Sequence, residues 1–196
     1  MNYEKCVFDT IRLVTVLIIA LSVGQGGLAQ TFPTDSIPTV ERRLWKINFL
    51  VPGAEFETAL GSFSTVNINP YVGLGYSYIS SLGDAWLVQP SIDVQFRRYY
   101  NLLKRNAKGK RTAGNSANYL AIDVLAVGRS VVDGEDFRNF SYYGLGPVWG
   151  MQRTFRSNFN LSFQAGAMYT QSQGAEDGWI VRLNLRLGLA LTRKGN

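Results

Sequence analysis

The sequence predicts an all-β fold: an eight-stranded antiparallel up-and-down transmembrane β-barrel that follows a cleaved signal peptide. In residues 179–191, all seven odd-numbered positions from Trp179 to Leu191 are apolar, and positions 182–190 of the other parity are polar or small. A period of two is that of a strand. Similar alternation recurs along the chain between turn residues. One apolar and one polar face are typical of strands that face lipid outward and a polar lumen inward.

The N-terminal segment has the pattern of a secretory signal. Residues 13–23 (LVTVLIIALSV) form a short apolar run, and small residues follow it up to Ala29. A membrane-spanning helix needs about 20 apolar residues, so this run is too short to be one. We therefore predict a signal peptide at 1–29, a polar leader at 30–43, a barrel at 44–194, and a location in the cell outer membrane after secretion through the inner membrane.

Turn residues divide the rest of the chain into strands. Pro52 and Gly53 suit the centre of a tight turn between the first two. An alternative is one long bulged strand over 44–60, which gives seven strands. Bacterial barrels of this kind close with an even number, which favours eight. The predicted strands are 45–51, 54–60, 63–80, 86–103, 116–132, 140–154, 159–172 and 179–193.

The two faces of these strands differ in polarity along the whole chain. Val66 and Ile68 share one parity, for example, and Asn67 and Asn69 share the other. A soluble lipocalin-like barrel would carry its apolar residues inside. Aromatic residues near the strand ends favour the membrane alternative, because such residues form interfacial girdles. They are Trp45, Trp86, Tyr99, Tyr100, Tyr119, Trp149, Tyr169 and Trp179.

Composition excludes several kinds of chemistry. The chain has no histidine, which excludes a Ser-His-Asp triad and the usual zinc site. Its one cysteine, Cys6, precedes the apolar run and leaves with the signal, so we expect no disulfide. We expect no catalytic, cofactor-binding or metal-binding residues, no cofactor, and no enzymatic activity.

Charged residues cluster in the predicted turns. The most basic of these turns begins at Lys104 and could be a nucleic-acid patch. The secretory signal favours instead a solvated turn close to the membrane. We therefore expect no nucleic-acid partner. The acidic residues at 133–136 and 176–177 could hold a divalent cation, although such short loops are usually only solvated. The basic turn contains Lys104, Arg105, Lys108, Lys110 and Arg111.

Three stretches resemble a known family: WKINFLVPGAEFE at 45–57, RRYYNLLKRNAKGKRTAGNSANYLAI at 97–122 and YGLGPVWGMQRTF at 143–155. They are similar to the small Bacteroidetes-type outer-membrane β-barrel proteins, of the OmpA- and OmpX-like eight-stranded class. The resemblance implies a barrel in the outer membrane and supplies no catalytic residues. Implied partners are outer-membrane lipids, lipopolysaccharide, and the barrel-assembly machinery during insertion.

The candidate site is a set of charges on the inward parity. An eight-stranded barrel is just wide enough for side chains to fill it, so opposite charges there should pair. We therefore expect a non-enzymatic barrel with a largely closed lumen and a structural or interaction role. Alternatives are a narrow pore or small-solute transporter, and a lipid- or small-ligand-binding barrel. The predicted lumen charges are Lys46, Glu55, Glu57, Asp93, Arg97, Asp123, Arg129, Arg182 and Arg186.

Overall fold

The computed structural model describes residues 38–79, 83–129, 141–173 and 176–191. Within these ranges the protein is all-β apart from one short helix, α1 (Leu102–Ala107). The predicted signal peptide at 1–29, residues 30–37 of the predicted leader and the acidic residues at 133–136 lie outside the described residues. The strands are β1 (Arg43–Asn48), β2 (Gly53–Ala59), β3 (Ser64–Ile79), β4 (Gly83–Tyr99), β5 (Asn118–Val127), β6 (Ser141–Thr154), β7 (Phe159–Gln173) and β8 (Gly178–Leu191).

The eight strands close into a ring. Each strand pairs antiparallel with the next one in the chain, and β1 pairs with β8 from Trp45↔Leu191 to Asn48↔Gly188. Pro52 lies in the turn between β1 and β2, whose register includes Lys46↔Glu55. The prediction of an eight-stranded up-and-down barrel is confirmed, and the seven-strand alternative is wrong.

Side chains alternate between a polar interior and an apolar exterior. On β4, Asp93, Gln95 and Arg97 are buried inside the ring, whereas Val94 and its neighbours of the same parity, Ile92 and Phe96, face outward. Directly paired residues of neighbouring strands share a face, so the alternation continues around the ring. Large apolar side chains therefore cover the outside of the barrel.

The end of the barrel that carries α1, here called the α1 end, is closed by an apolar cluster. Val40, Tyr99, Leu102 and Tyr119 are buried together there. The predicted strand at 86–103 ends earlier than expected, at Tyr99, because Leu102 turns under the barrel as part of α1. The apolar residues after Tyr99 continued the alternation in the sequence and concealed this turn.

Hydrogen bonds fasten the chain across the α1 end. Glu41 accepts from Gly114 N at 2.5 Å, and Glu41 N donates to Asn115 Oδ1 at 2.7 Å. Gly114 has φ +64° and lies against Thr154 so closely that a Cβ would overlap the threonine side chain. Only glycine fits this position without strain.

Within the described residues, no helix is long and apolar enough to span a membrane.

The β1–β2 hairpin is shorter than its neighbours. β2 pairs with β3 only as far as Gly53↔Tyr71, whereas β3 continues to Ile79 beside β4. On the other side, β1 pairs with residues 188–191 of β8, and Phe49 N donates to Leu187 O at 2.9 Å. Among the described residues, no strand pairs on this side with 73–79 of β3 or 178–186 of β8. We call the region between these two edges the wall gap.

Candidate functional site

Eight of the nine predicted lumen charges lie buried inside the barrel. They come from five strands, because inward positions of β1, β2, β4, β5 and β8 converge on the axis. We call this set the charge network. Its members are Lys46, Glu55, Glu57, Asp93, Arg97, Asp123, Arg182 and Arg186.

Arg129 is the ninth predicted charge, and it does not belong to the network. The sequence predicts a strand through residue 132, but β5 ends at Val127 and Arg129 is exposed. Gly128 N still donates to Pro90 O at 2.8 Å, and the strand alternation ends there. Since inward parity holds only within a strand, the prediction for Arg129 is wrong.

Lys46 is fully buried on β1 and has its three partners within the barrel. Its Nζ lies 2.5 Å from Glu55 Oε1 and 3.1 Å from Glu57 Oε2. A third bond, of 2.7 Å, goes to Oε1 of Gln152 on β6. Three acceptors satisfy the three protons of the ammonium group, so its burial leaves no donor without a partner.

Glu57 is held by neutral donors as well as by cations. Its Oε1 accepts from the Tyr99 hydroxyl at 2.6 Å, from Thr65 Oγ1 at 2.8 Å and from Asn115 Nδ2 at 2.9 Å. Asn115 lies in the connection after α1, so this carboxylate also joins the cap of the α1 end to the barrel interior.

Arg97 spreads its guanidinium over several strands. Its Nη1 lies 3.1 Å from Glu55 Oε1, and its Nη2 donates to Asn67 Oδ1 at 2.8 Å. Its Nε donates to Gln95 Oε1 at 2.8 Å. The guanidinium carbon lies 4.7 Å from the centre of the Tyr119 ring, a favourable cation–π geometry.

A second group of charges lies further from α1. Asp93 Oδ2 pairs with Nη2 of Arg186 and, at 3.1 Å, with Nη2 of Arg182. Arg182 Nε lies 3.1 Å from Asp123 Oδ2. Arg186 Nη1 lies 3.5 Å from Glu55 Oε2 and so connects this group to the first.

The charge network is electrically balanced. With Arg129 outside it, four cations (Lys46, Arg97, Arg182 and Arg186) face four carboxylates, rather than the predicted five and four. A buried charge without a partner is costly, whereas balanced and hydrogen-bonded charges can be accommodated. The network therefore fills the interior with paired groups.

Two tyrosines were assigned to the wrong place by the sequence. Tyr99 and Tyr119 were predicted as interfacial girdle residues, yet both are buried inside the barrel. They lie on the inward parity of β4 and β5, a signal that their position at strand ends concealed. Tyr119 accepts from Gln164 Nε2 at 2.9 Å. The Trp86 side chain lies outside the described residues, and the exposed aromatics include Trp45, Tyr100, Trp149, Tyr169 and Trp179.

Beyond the charge network, on the side away from α1, the interior is apolar. Leu125 and Met168 are almost fully buried, and Val127 packs with them. Tyr71 and Tyr142 lie half-buried against this group. We call these five residues the apolar layer. The prediction of an inner face that is polar in every long strand does not hold here, because the inward positions of β5 and β7 become apolar.

This site is a filled interior made of paired charges and hydrogen-bonded polar side chains. Among the described residues, no group of three or more acidic, histidine or cysteine residues is placed to hold a metal ion. The fold and the site define an eight-stranded antiparallel barrel with a balanced ionic interior. No protein-family model, curated protein or solved structure matches the chain.

Proposed function

We propose that this protein is a non-enzymatic outer-membrane β-barrel with a closed lumen and a structural or interaction role. The observation that carries the proposal is the apolar outer surface of a closed ring. Exposed contiguous apolar surface of this extent is rare on soluble monomers and marks contact with protein or membrane. It is formed by residues including Ile47, Ile68, Leu74, Ile92, Val94, Leu120, Val124, Val181, Leu183, Leu185, Leu189 and Leu191.

Two further features support a membrane location. The N-terminal apolar run has the length and small-residue site of a secretory signal. Aromatic side chains lie exposed near the α1 end, where Trp149 Nε1 donates to the Tyr100 hydroxyl at 2.9 Å. Tryptophan and tyrosine are favoured at membrane–water interfaces because one end of each side chain is polar. We propose membrane lipids and lipopolysaccharide as partners, with the barrel-assembly machinery acting during insertion.

The filled interior supports a closed lumen over the alternative of a narrow pore. The charge network pairs its charges across the barrel axis, and the apolar layer and the cluster at the α1 end lie on either side of it. A conducting path would need mobile water along these levels. The alternative of a small-solute transporter therefore has less support than a structural or interaction role.

Cell fractionation tests the proposed location. We expect the mature protein in the outer-membrane fraction. Its migration on gels run in detergent should change on heating, because the folded barrel resists the detergent and unfolds only when it is heated. A control variant with charged residues in the apolar run, Leu17→Arg and Ile18→Arg, should fail to reach that fraction. Recovery of the unaltered protein as a soluble periplasmic monomer would contradict the proposal.

A further inference from the structure

The wall gap is large enough to admit a ligand from the side. Among the described residues, two strand positions between its edges are not filled, which leaves three strand spacings, about 14 Å. Along β3 the unpaired edge covers residues 73–79, a length of about 20 Å at strand rise. On the side nearer to the α1 end, the wall gap ends at the turn at 49–52, where Pro52 O accepts a hydrogen bond from Val72 N at 2.8 Å.

Side-chain exposure marks the same opening. Outward-facing side chains that have strands on both sides include Ile68 and Val94 at 37% exposed, Leu120 at 57% and Tyr143 at 63%. On the edges of the wall gap, Leu74 is 65%, Leu183 is 68% and Val181 is 79% exposed. These three edge side chains exceed those values, and among the described residues no strand lies beside them on the side of the wall gap.

The wall gap opens beside the apolar layer. Ile180 lies on the edge of β8 and pairs with Met168 of β7, so both side chains point into the barrel. Met168 is buried and Ile180 is 41% exposed. An apolar inward side chain at the edge of an opening offers hydrocarbon contact to whatever enters.

We propose that the wall gap binds a single-chain amphiphile with an uncharged, hydrogen-bonding head group, taken from the surrounding leaflet. Its hydrocarbon chain would pack on Ile180 and on the two half-buried tyrosines of the apolar layer, Tyr71 and Tyr142. This inference rests on the proposed function, because the wall gap faces lipid only if the barrel lies in a membrane.

The two edges define the chemistry of the head group. Backbone N–H and C=O groups need hydrogen-bond partners inside a bilayer, since each unsatisfied group costs several kcal/mol. A plain hydrocarbon supplies no partner for them, whereas hydroxyl or amide groups do. The cations of this β8 edge, Arg182 and Arg186, are already paired with Asp93, so an anionic head group gains no new partner there.

Photolabelling tests the proposal directly. The probe is a monoacylglycerol with a diazirine in its acyl chain, added to the full-length barrel in phosphatidylcholine nanodiscs, and labelled residues are identified by mass spectrometry. We expect saturable labelling at accessible inward-facing positions such as Tyr71, Tyr142 and Ile180 that excess unlabelled monoacylglycerol displaces. Labelling confined to outward positions and not displaced, as for lipid that merely surrounds the barrel, would overturn the proposal.

Neighbouring positions on β8 give a matched pair of variants. Ile180→Trp places a large side chain inside the opening and should reduce saturable labelling about tenfold or more. Val181→Trp adds the same side chain to the outer face of the same strand and should leave labelling within about twofold. Heat-dependent gel migration checks that both variants fold. Equal labelling of the two folded variants would overturn the proposal.

Two other results separate this inference from the proposed function. A barrel that inserts into nanodiscs but shows no saturable labelling, with two copies in each disc, would overturn the inference in favour of a second copy at the wall gap. A protein that stays soluble and does not enter nanodiscs would instead contradict the outer-membrane proposal itself.

Discussion

Asp93 shows how the residues of the interior depend on one another. It lies between two arginines, and Asn69 Nδ2 also donates to its Oδ2 at 3.2 Å. Asp93 is fully buried and its partners are at most 8% exposed, so little bulk water can reach them to replace a lost partner. The cost of removing one member therefore falls on the charges that remain.

The first prediction concerns this residue. Asp93→Ala should lower the free energy of unfolding by about 3–5 kcal/mol, because it leaves a buried arginine charge without its partner. The measurement is urea-induced unfolding from phospholipid vesicles. The matched control is Glu176→Ala, which removes an exposed carboxylate and should change stability by less than about 0.5 kcal/mol. Equal stability of Asp93→Ala and the parent protein would contradict the account of the charge network.

At the residue scale, the sequence could predict which face of a strand a charge occupies, because the period of two fixes the face. It could not predict partners. Arg186 and Glu55 are 131 residues apart, and only the closing of β1 on β8 brings them together. The prediction for Arg129 failed because the alternation of faces does not continue beyond the end of the strand.

At the scale of elements, the α1 connection and the β7–β8 turn lie at opposite ends of the barrel. In a membrane, an even number of strands puts both termini on the same side as α1. We expect that side to be the periplasm. The basic residues Lys104, Lys108 and Lys110 would then face the periplasm, and Glu176 and Asp177 would face the cell exterior.

Single-cysteine labelling tests this orientation. In intact cells, a thiol reagent that cannot cross the outer membrane should label Glu176→Cys and should leave Lys110→Cys unlabelled. Both residues are exposed, so both variants should be labelled once the membrane is opened with detergent. Labelling of Lys110→Cys alone in intact cells would mean that the orientation is reversed.

The turn of the β1–β2 hairpin differs from the other turns in being apolar. Phe49 and Leu50 are exposed there, although turns in water are usually polar. The hairpin is much shorter than the β3–β4 hairpin beside it. Its turn therefore lies part of the way along the barrel wall, at a depth that we expect to be within the hydrocarbon region.

Depth-dependent fluorescence quenching tests the position of this turn. Leu50→Trp should add emission that lipids brominated near the middle of the chain quench strongly, measured as the difference from the parent protein. Arg129→Trp, at the far end of the barrel, is the control and should be quenched weakly. Similar quenching of the two added tryptophans would show that the turn lies at the membrane surface.

At this scale, turn residues and alternation predict the strand count well. They could not predict the wall gap, which depends on how far each neighbour pairs rather than on any local pattern. The extent of pairing is set by strand length and register around the closed ring, as between Gly53 and Tyr71. Helix α1 was also missed, because six residues are too few for a helical period to stand out.

At the scale of the whole molecule, buried side chains fill the interior of the barrel at three levels. The apolar cluster closes the α1 end, the charge network fills the middle, and the apolar layer lies beyond it. The wall gap lies alongside the apolar layer and the part of the charge network that contains Arg182 and Arg186, and it ends at the turn at 49–52. We propose that the filled interior seals the barrel against the passage of ions along its axis.

Planar-bilayer conductance tests that claim most directly. Protein whose insertion has been verified by protease protection should give no steady conductance above the leak of the bilayer, because buried, paired side chains fill the interior along its axis. Reconstituted Asp93→Asn should behave in the same way while being less stable. A stable open channel in the parent protein, whose cation or anion selectivity changes in Asp93→Asn, would contradict the account and favour a narrow pore.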